Sequence, residues 1–339
     1  MMPIALLKFP TDLLREIFKL CDPFELYKLS KCSKRAQKSI TLGGKRNWKI
    51  SFFGGNEMFI STGYSNYYFN KAMIPKNHLL TILGEYTNHI YIELPVGGVV
   101  DLFVYLLEIF GIRTVKSLES SFYGLHNVSK VAKVLIDKKI EIEGFWIRNI
   151  DDVQDAVHFM PLMNQMIIQK FQCSIEFPPE FHFEFVQYPN QISIMDSFWF
   201  NINQLLNSTC TRIHLQQSEL SNQDLNVFLH DWKNTGAFPK LRYLEIQSEK
   251  IDNQSPILEM IPPITNVNNP RTKISIRNMF DDHIVDGVRV NKDDGTEGWL
   301  IVELGEWPIL KFLIADPADT VVEEIPEDDE DDEDDEDDW

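Results

Sequence analysis

Cysteine is scarce in this 339-residue chain, and its four cysteines are far apart and form no CxxC pair. They are Cys21, Cys32, Cys173 and Cys210. Disulfide scaffolds and cysteine-type zinc modules need closely spaced cysteines, so the sequence excludes both classes. The pattern is typical of a reduced, intracellular protein, and we expect a location in the cytoplasm, the nucleus or both.

Long apolar runs are also missing. The best membrane candidate, residues 99–112, is too short to cross a bilayer and contains Asp101 and Glu108. Residues 1–10 lack the charge order of a secretory signal. We therefore expect no membrane contact. The apolar residues of this candidate recur at helical spacing, which predicts a helix packed on a core.

Sequence motifs of metal, nucleotide-binding and catalytic sites are absent as well. The eight histidines form no HExxH or HxH, and no GxGxxG, phosphate loop, GxSxG or cysteine nucleophile signature occurs. We therefore predict a non-catalytic protein with no catalytic residue, no cofactor and no metal site. The one dense polar cluster, Asp281-Asp282-His283, could hold a metal ion, but we expect a solvated turn between strands.

Basic residues are fewer than acidic residues, 32 against 51, and most of the difference comes from one segment. Residues 323–338 hold 14 acidic and no basic side chains, which leaves 37 acidic against 32 basic elsewhere. A protein that binds nucleic acid would need a basic face, so we expect no such partner. Like charges at this density repel, so residues 321–339 are predicted to be a disordered tail. The tail could simply add solubility, or it could attract basic partners.

Three short helices are predicted near the N-terminus, within residues 7–39. Thr11 can cap the first helix, and Ser33 can cap a third helix over residues 34–40. Between them, Asp22 is a good N-cap, Pro23 suits the first helical position and Glu25 completes a capping box. So short a segment has little room for a core of its own, so apolar surface should remain for a partner or a neighbouring domain.

This segment resembles an F-box, and most closely the F-box of a large nematode family. The resemblance rests on Phe9-Pro10, Leu13-Leu14, the Asp22-Pro23 step and the run from Ser30 to Ala36, with Phe9 where leucine is usual. It implies docking to the Skp-type adaptor of a cullin-RING ubiquitin ligase. The alternative is that the helices only cap the next domain. The residues expected to be shared between the module's core and the adaptor groove are Pro10, Leu13, Leu14, Ile17, Phe18, Leu26, Leu29 and Cys32.

Strand-like runs then recur every 21 to 31 residues along the chain. They lie near Ile90, Val115, Ile142, Ile167, Ile192, Ile213, Leu244 and Ile274. Helical stretches separate several of them, at residues 99–110, 127–135, 151–160, 202–206 and 222–232. This alternation predicts an α/β solenoid similar to leucine-rich repeats, although the asparagine ladder of regular repeats is absent. A doubly wound α/β sheet gives a similar alternation.

Residues 211–247 are similar to the F-box-associated domain, type 2, of the same nematode family. Here Leu225, Phe228, Leu229 and Trp232 form one apolar face of a predicted helix, and Trp232 is expected in the core. Residues 51–82 are aromatic-rich and are predicted to be an irregular connecting layer. Residues 287–290 and 299–302 are predicted to form a β-hairpin that closes the end of the solenoid.

We therefore expect an adaptor-docking module at residues 1–48, a substrate-binding domain at 49–320 and an acidic tail at 321–339. The implied function is that of a substrate receptor in an SCF-type ubiquitin ligase. Its partners would be the Skp-type adaptor, through it a cullin, and an unidentified protein substrate, with basic proteins as candidates. The alternative is a non-degradative scaffold or an acidic, histone-chaperone-like binding protein.

Overall fold

The computed structural model describes residues 8–44, 46–55, 57–120, 125–235, 238–266, 271–277, 279–292 and 294–325. The chain divides into two compact units at Pro179 and Glu180. The expected docking module is not a unit by itself, because it belongs to the first unit together with residues 49–179. Within the described part of the chain, no helix combines the length and the apolar character needed to cross a membrane.

The first unit begins with three helices: α1 (Thr11–Leu20), α2 (Pro23–Cys32) and α3 (Lys34–Ile40). The strands that follow are β1 (Lys49–Phe52), β2 (Met58–Ser61), β3 (Asn66–Lys71), β4 (Leu80–Leu83) and β5 (Thr87–Ile92). Helices then alternate with strands: α4 (Gly98–Phe110), β6 (Thr114–Glu119), α5 (His126–Lys138), β7 (Glu141–Ile147), α6 (Val153–Met163) and β8 (Ile167–Cys173). Residues 51–82 are therefore strand-rich, and the prediction of an irregular layer there is wrong.

The strands of the first unit follow the order β8-β7-β6-β1-β2-β3-β5-β4. Strands β6, β7 and β8 are parallel neighbours, and α4, α5 and α6 contact one another in sequence order. This is the predicted strand-and-helix alternation. It is interrupted at Ile90, however, because β5 pairs with β3 and β4, and β1, β2 and β3 lie between it and β6.

The second unit contains β9 (Gln191–Ile194), α7 (Ile202–Leu206), β10 (Arg212–Leu215), α8 (Asn222–Thr235) and β11 (Tyr243–Gln247). It continues with β12 (Arg271–Ile276), β13 (Met279–Val285), β14 (Val288–Asn291), β15 (Glu297–Glu303), β16 (Ile309–Ile314) and β17 (Thr320–Ile325). All eight predicted strand positions and all five predicted helices of the repeat region are confirmed.

Strands β9, β10 and β11 are parallel, and the antiparallel strands β16, β15 and β14 continue that sheet. The predicted hairpin is confirmed as β14 and β15, but β16 lies between it and β11. Strand β12 forms a separate sheet with β13 and β17, so the run near Ile274 does not continue the repeat. The fold is therefore mixed α/β with large sheets. These strand pairings do not form the continuous solenoid that the sequence predicted.

The predicted disordered tail does not begin at residue 321. Residues Thr320–Ile325 form β17, which pairs with β12 along its whole length and places Val322 opposite Ile274. The remainder of the predicted tail, residues 326–339, lies outside the described residues.

Candidate functional site

The N-terminal helices have local reasons to begin and end where they do. The Asp22 side chain accepts a hydrogen bond from Glu25 N at 2.8 Å, and the Glu25 side chain accepts one from Asp22 N at 2.9 Å. This is the predicted capping box. Ser33 caps α3 as predicted, since its hydroxyl accepts from Ala36 N at 3.1 Å. The predicted Thr11 cap is wrong, because α1 is preceded by Pro10 as N-cap and has no side-chain cap bond.

Two aromatic residues of α2 anchor the N-terminal helices to the rest of the first unit. Phe24 meets Tyr67 and Phe69 edge-on, at ring distances of 5.1 and 5.3 Å. Tyr27 meets Phe69 at 5.4 Å and Tyr105 at 6.2 Å. Edge-to-face pairs of this kind add to the free energy gained from burial. They explain why the helices share a unit with residues 49–179.

Polar contacts fix the same junction. The Tyr105 hydroxyl donates to Ser30 Oγ at 2.6 Å, and Ser30 Oγ donates to the carbonyl oxygen of Tyr27 at 2.5 Å. Lys31 Nζ lies 3.8 Å from the centre of the Tyr105 ring, a cation–π distance. Burial, with a smaller contribution from Tyr105, raises the pKa of Tyr27 to about 12, and burial lowers the pKa of Lys31. The face of α2 that carries Tyr27 and Ser30 therefore packs inside the first unit and is not free to bind a partner.

Helix α1 carries two apolar stripes that lie roughly 100° apart around its axis. Leu14 and Phe18 are four residues apart and buried, so they belong to the core. Leu13, Ile17 and Leu20 form a second stripe at spacings of four and three residues. Leu13 is 46% exposed, Leu20 is 87% exposed and Ile17 is partly buried. A monomer gains nothing from displaying these side chains, so this α1 stripe is the candidate docking surface.

The eight predicted docking residues therefore separate by burial. Leu14, Phe18 and Leu26 are buried within the first unit. Ile17 and Leu29 are partly buried, and Pro10, Leu13 and Cys32 are exposed. The predicted docking residues did not include Phe9 or Leu20, although both are exposed large apolar residues and Leu20 belongs to the α1 stripe. Leu20 lies seven residues after Leu13, so helical spacing alone would have added it to the predicted docking residues.

A buried polar network lies in the second unit, where the sequence analysis expected a solvated turn. Asp282 is fully buried on β13 and accepts a hydrogen bond from Arg212 Nη2, and His214 Nε2 lies 3.6 Å from its Oδ1. The expectation of a solvated turn is therefore wrong. Among the described residues no group of three or more histidine, cysteine, aspartate or glutamate side chains could hold a metal ion.

The network continues onto β11. The Tyr243 hydroxyl donates to Glu245 Oε2 at 2.8 Å, and His214 Nδ1 lies 3.8 Å from Glu245 Oε1. Burial on its own raises the pKa of Glu245, but the contacts from His214 and Tyr243 outweigh burial and leave that pKa below its usual value. Burial, and then the Glu245 carboxylate, raise the pKa of Tyr243. Beside the network, Tyr243, Ile274, Ile276, Ile284, Ile301 and Leu313 form one apolar cluster. The network therefore connects β10 and β11 of the large sheet to β13 of the separate sheet.

Comparison with known families matches the two segments that the sequence analysis singled out. A family model for the F-box domain matches residues 6–42, and a family model described as F-box associated matches residues 180–246. The second match begins where the second compact unit begins. No curated protein and no solved structure matches the chain significantly. The α1 stripe thus lies inside a recognised F-box, and the chain combines an F-box domain with an F-box associated domain.

Proposed function

We propose that this chain is the non-catalytic substrate-recognition subunit of an SCF-type cullin-RING E3 ubiquitin ligase. The F-box docks a Skp-type adaptor and, through it, a cullin scaffold, and the rest of the chain captures a target protein. The function is then one of proximity, since holding the target near the ubiquitin-carrying enzyme raises its effective concentration. The observation that carries the proposal is the exposed α1 stripe of Leu13, Ile17 and Leu20 within the F-box.

The charge of the docking module supports the same role. Residues 8–44 contain eight basic and four acidic side chains, whereas the whole chain has a net charge of −19. Four exposed basic residues follow one another at the end of α2 and along α3: Lys31, Lys34, Arg35 and Lys38. A local positive field favours encounter with an acidic partner surface, while the apolar stripe supplies the contact energy.

For the substrate-binding part, we propose a leucine-rich-repeat-like arrangement within each run of parallel strands. Buried serines after the strands support it by donating hydrogen bonds to the backbone of the loop that follows a neighbouring strand, a role that asparagines have in regular repeats. Ser120 Oγ donates to Arg148 O at 3.0 Å, Ser197 Oγ to Gln216 O at 2.7 Å and Ser248 Oγ to Leu220 O at 2.8 Å.

The proposal is tested by replacing two exposed anchors, Pro10→Ala with Leu13→Ala, in the full chain. We expect this variant to stay folded and to lose co-purification with a Skp-type adaptor, because both side chains are exposed and truncating interface anchors costs about 2 kcal/mol or more each. Lys19→Ala is the matched control, since Lys19 is exposed on α1 and pairs with Glu16. Undiminished co-purification of the double variant would contradict the proposal.

A further inference from the structure

A pocket of about 330 Å³ opens in the second unit, beside the carboxyl ends of the parallel strands β9, β10 and β11. Loops that follow these strands form its walls, with Asp196 after β9, Glu219 after β10 and Glu249 after β11. Trp307, from the turn between β15 and β16, completes the lining. In open α/β sheets, ligands bind outside the carboxyl ends of parallel strands.

Backbone hydrogen bonds hold these loops to one another. Ser197 N donates to Gln216 O at 3.0 Å, Ser218 N to Gln247 O at 2.9 Å, and Ser248 N to Pro308 O at 3.0 Å. The last of these bonds ties the β11 loop to the residue next to Trp307. A pocket whose walls are fixed in advance loses less conformational entropy when it binds a ligand.

Trp307 differs from the other described tryptophans of the second unit's core. Trp199 and Trp232 are buried and Trp299 is partly buried, whereas Trp307 is 49% exposed at the pocket wall. An exposed indole is a common anchor of binding energy, and its face is the best aromatic surface for a cation.

The negative charge of the pocket lining favours a positively charged ligand. Its lining contains three carboxylates, from Asp196, Glu219 and Glu249, against the single ammonium of Lys250. Acidic side chains therefore outnumber basic ones in the lining by three to one, and Lys250 forms an ion pair with one of them, Glu219. Carboxylates beside an indole favour a planar cation, because a guanidinium can stack on the ring and donate to oxygen at the same time.

We propose that this pocket binds an arginine side chain of the captured protein, with the guanidinium against Trp307 and near the carboxylates of Asp196 and Glu249. The inference rests on the proposed function, in which the second unit contributes to substrate capture. The volume is at the low end of the range for ligand sites, which suits one large side chain better than a cofactor.

The test uses the full chain, labelled with ¹⁵N so that tryptophan indole signals report binding, and the acetylated, amidated peptide GSGRGSG. We expect the arginine peptide to shift saturably the one indole signal that Trp307→Phe removes. The same peptide with glutamine in place of arginine should bind at least about tenfold more weakly, and the lysine peptide should fall between them.

The Asp196→Asn, Glu249→Gln double variant should bind the arginine peptide at least about tenfold more weakly. Glu306→Gln is the matched control, because Glu306 is an exposed acid next to Trp307 in sequence but does not line the pocket, and it should change binding less than twofold. Unchanged dispersion of the other indole signals verifies that each variant is folded.

The proposal is overturned if the Trp307 signal does not shift saturably, if the double variant binds normally, or if Glu306→Gln weakens binding equally. Adaptor co-purification measured on the same preparations keeps the two proposals apart. Arginine binding without adaptor binding contradicts the ligase role alone, and adaptor binding without arginine binding contradicts the pocket alone.

Discussion

Helices α1 and α8 lie in the two segments that family models recognise, and both carry apolar residues three and four positions apart. In α8 that face is completely buried, and Phe228 packs on Phe238 at 4.7 Å while Trp232 packs on Phe312 at 4.7 Å. In α1 the buried pair of Leu14 and Phe18 is accompanied by an exposed stripe. One helix builds a core, and the other also displays apolar surface.

The difference shows what each recognised segment contributes. Apolar surface removed from water stabilises by about 25 cal/mol per Å², so an exposed stripe forgoes stability unless a partner covers it. The F-box segment forgoes that stability along a stripe of α1, whereas among the described side chains of α8 only Val227 is an exposed apolar residue. The proposal that α1 docks a partner and that α8 is structural rests on this difference.

The largest effect is expected from truncating α8. Phe228→Ala removes a fully buried ring and should lower the free energy of unfolding by about 3–5 kcal/mol. Val227→Ala is the control on the same helix, because that side chain is 45% exposed, and it should cost well under 1 kcal/mol, or about a few tenths. Chemical denaturation measures both. If the two variants were equally stable, α8 would not be the structural helix of the comparison.

A similar loss is expected from the buried polar network that holds the sheets of the same unit together. Asp282→Ala leaves the Arg212 guanidinium buried without its carboxylate, which typically costs about 3–5 kcal/mol. Glu297→Ala breaks the exposed Arg289–Glu297 pair and should cost about 1 kcal/mol or less. Equal unfolding midpoints for these two variants would show that the network does not stabilise the fold.

A loss of binding without a loss of stability is expected from α1. Leu13→Ala with Leu20→Ala should weaken adaptor affinity by about 2 kcal/mol or more, close to thirtyfold, while thermal unfolding stays unchanged. Leu14→Ala is the contrasting variant, because this neighbouring leucine is buried and its truncation should lower stability by about 2–5 kcal/mol. Calorimetric titration and thermal unfolding together separate the two outcomes. The same behaviour from both variants would erase the distinction between the stripes.

The smallest effect is expected at the helix caps. Asp22→Ala removes the capping box of α2 and should cost about 1 kcal/mol. Thr11→Ala should be nearly neutral, since no side-chain cap bond is formed at α1. Denaturant midpoints measured side by side check the difference, and a larger loss from Thr11→Ala would reverse the assignment of the caps.

Periodicity was sufficient to locate most elements of the fold. Helix α7 has its predicted bounds, and each predicted strand position lies within a strand, because helical and strand periods are local properties of the chain. The partners of a strand are not local. Nothing in the run near Ile90 indicates that it pairs with β3 and β4, and nothing near Ile274 indicates a separate sheet, so the predicted repeat was one strand too long at each end.

Burial at the sites was harder to predict for the same reason. Leu13 and Leu14 are adjacent and chemically identical, and only the packing of α1 decides which one is exposed. Asp282 lies in a polar triplet that resembles a turn, yet β13 pairs with β12 and buries it beside Arg212, 70 residues away in sequence. Sequence patterns located helix α1, but they did not separate its exposed face from its buried face.

The most direct test of the central claim is hydrogen exchange of the full chain with and without a Skp-type adaptor. The account predicts slower exchange at residues 8–20, which include α1, and unchanged exchange at Asn222–Thr235, which is α8. Protection of α8 with no protection of residues 8–20, or no change in either helix at saturating adaptor, would contradict it.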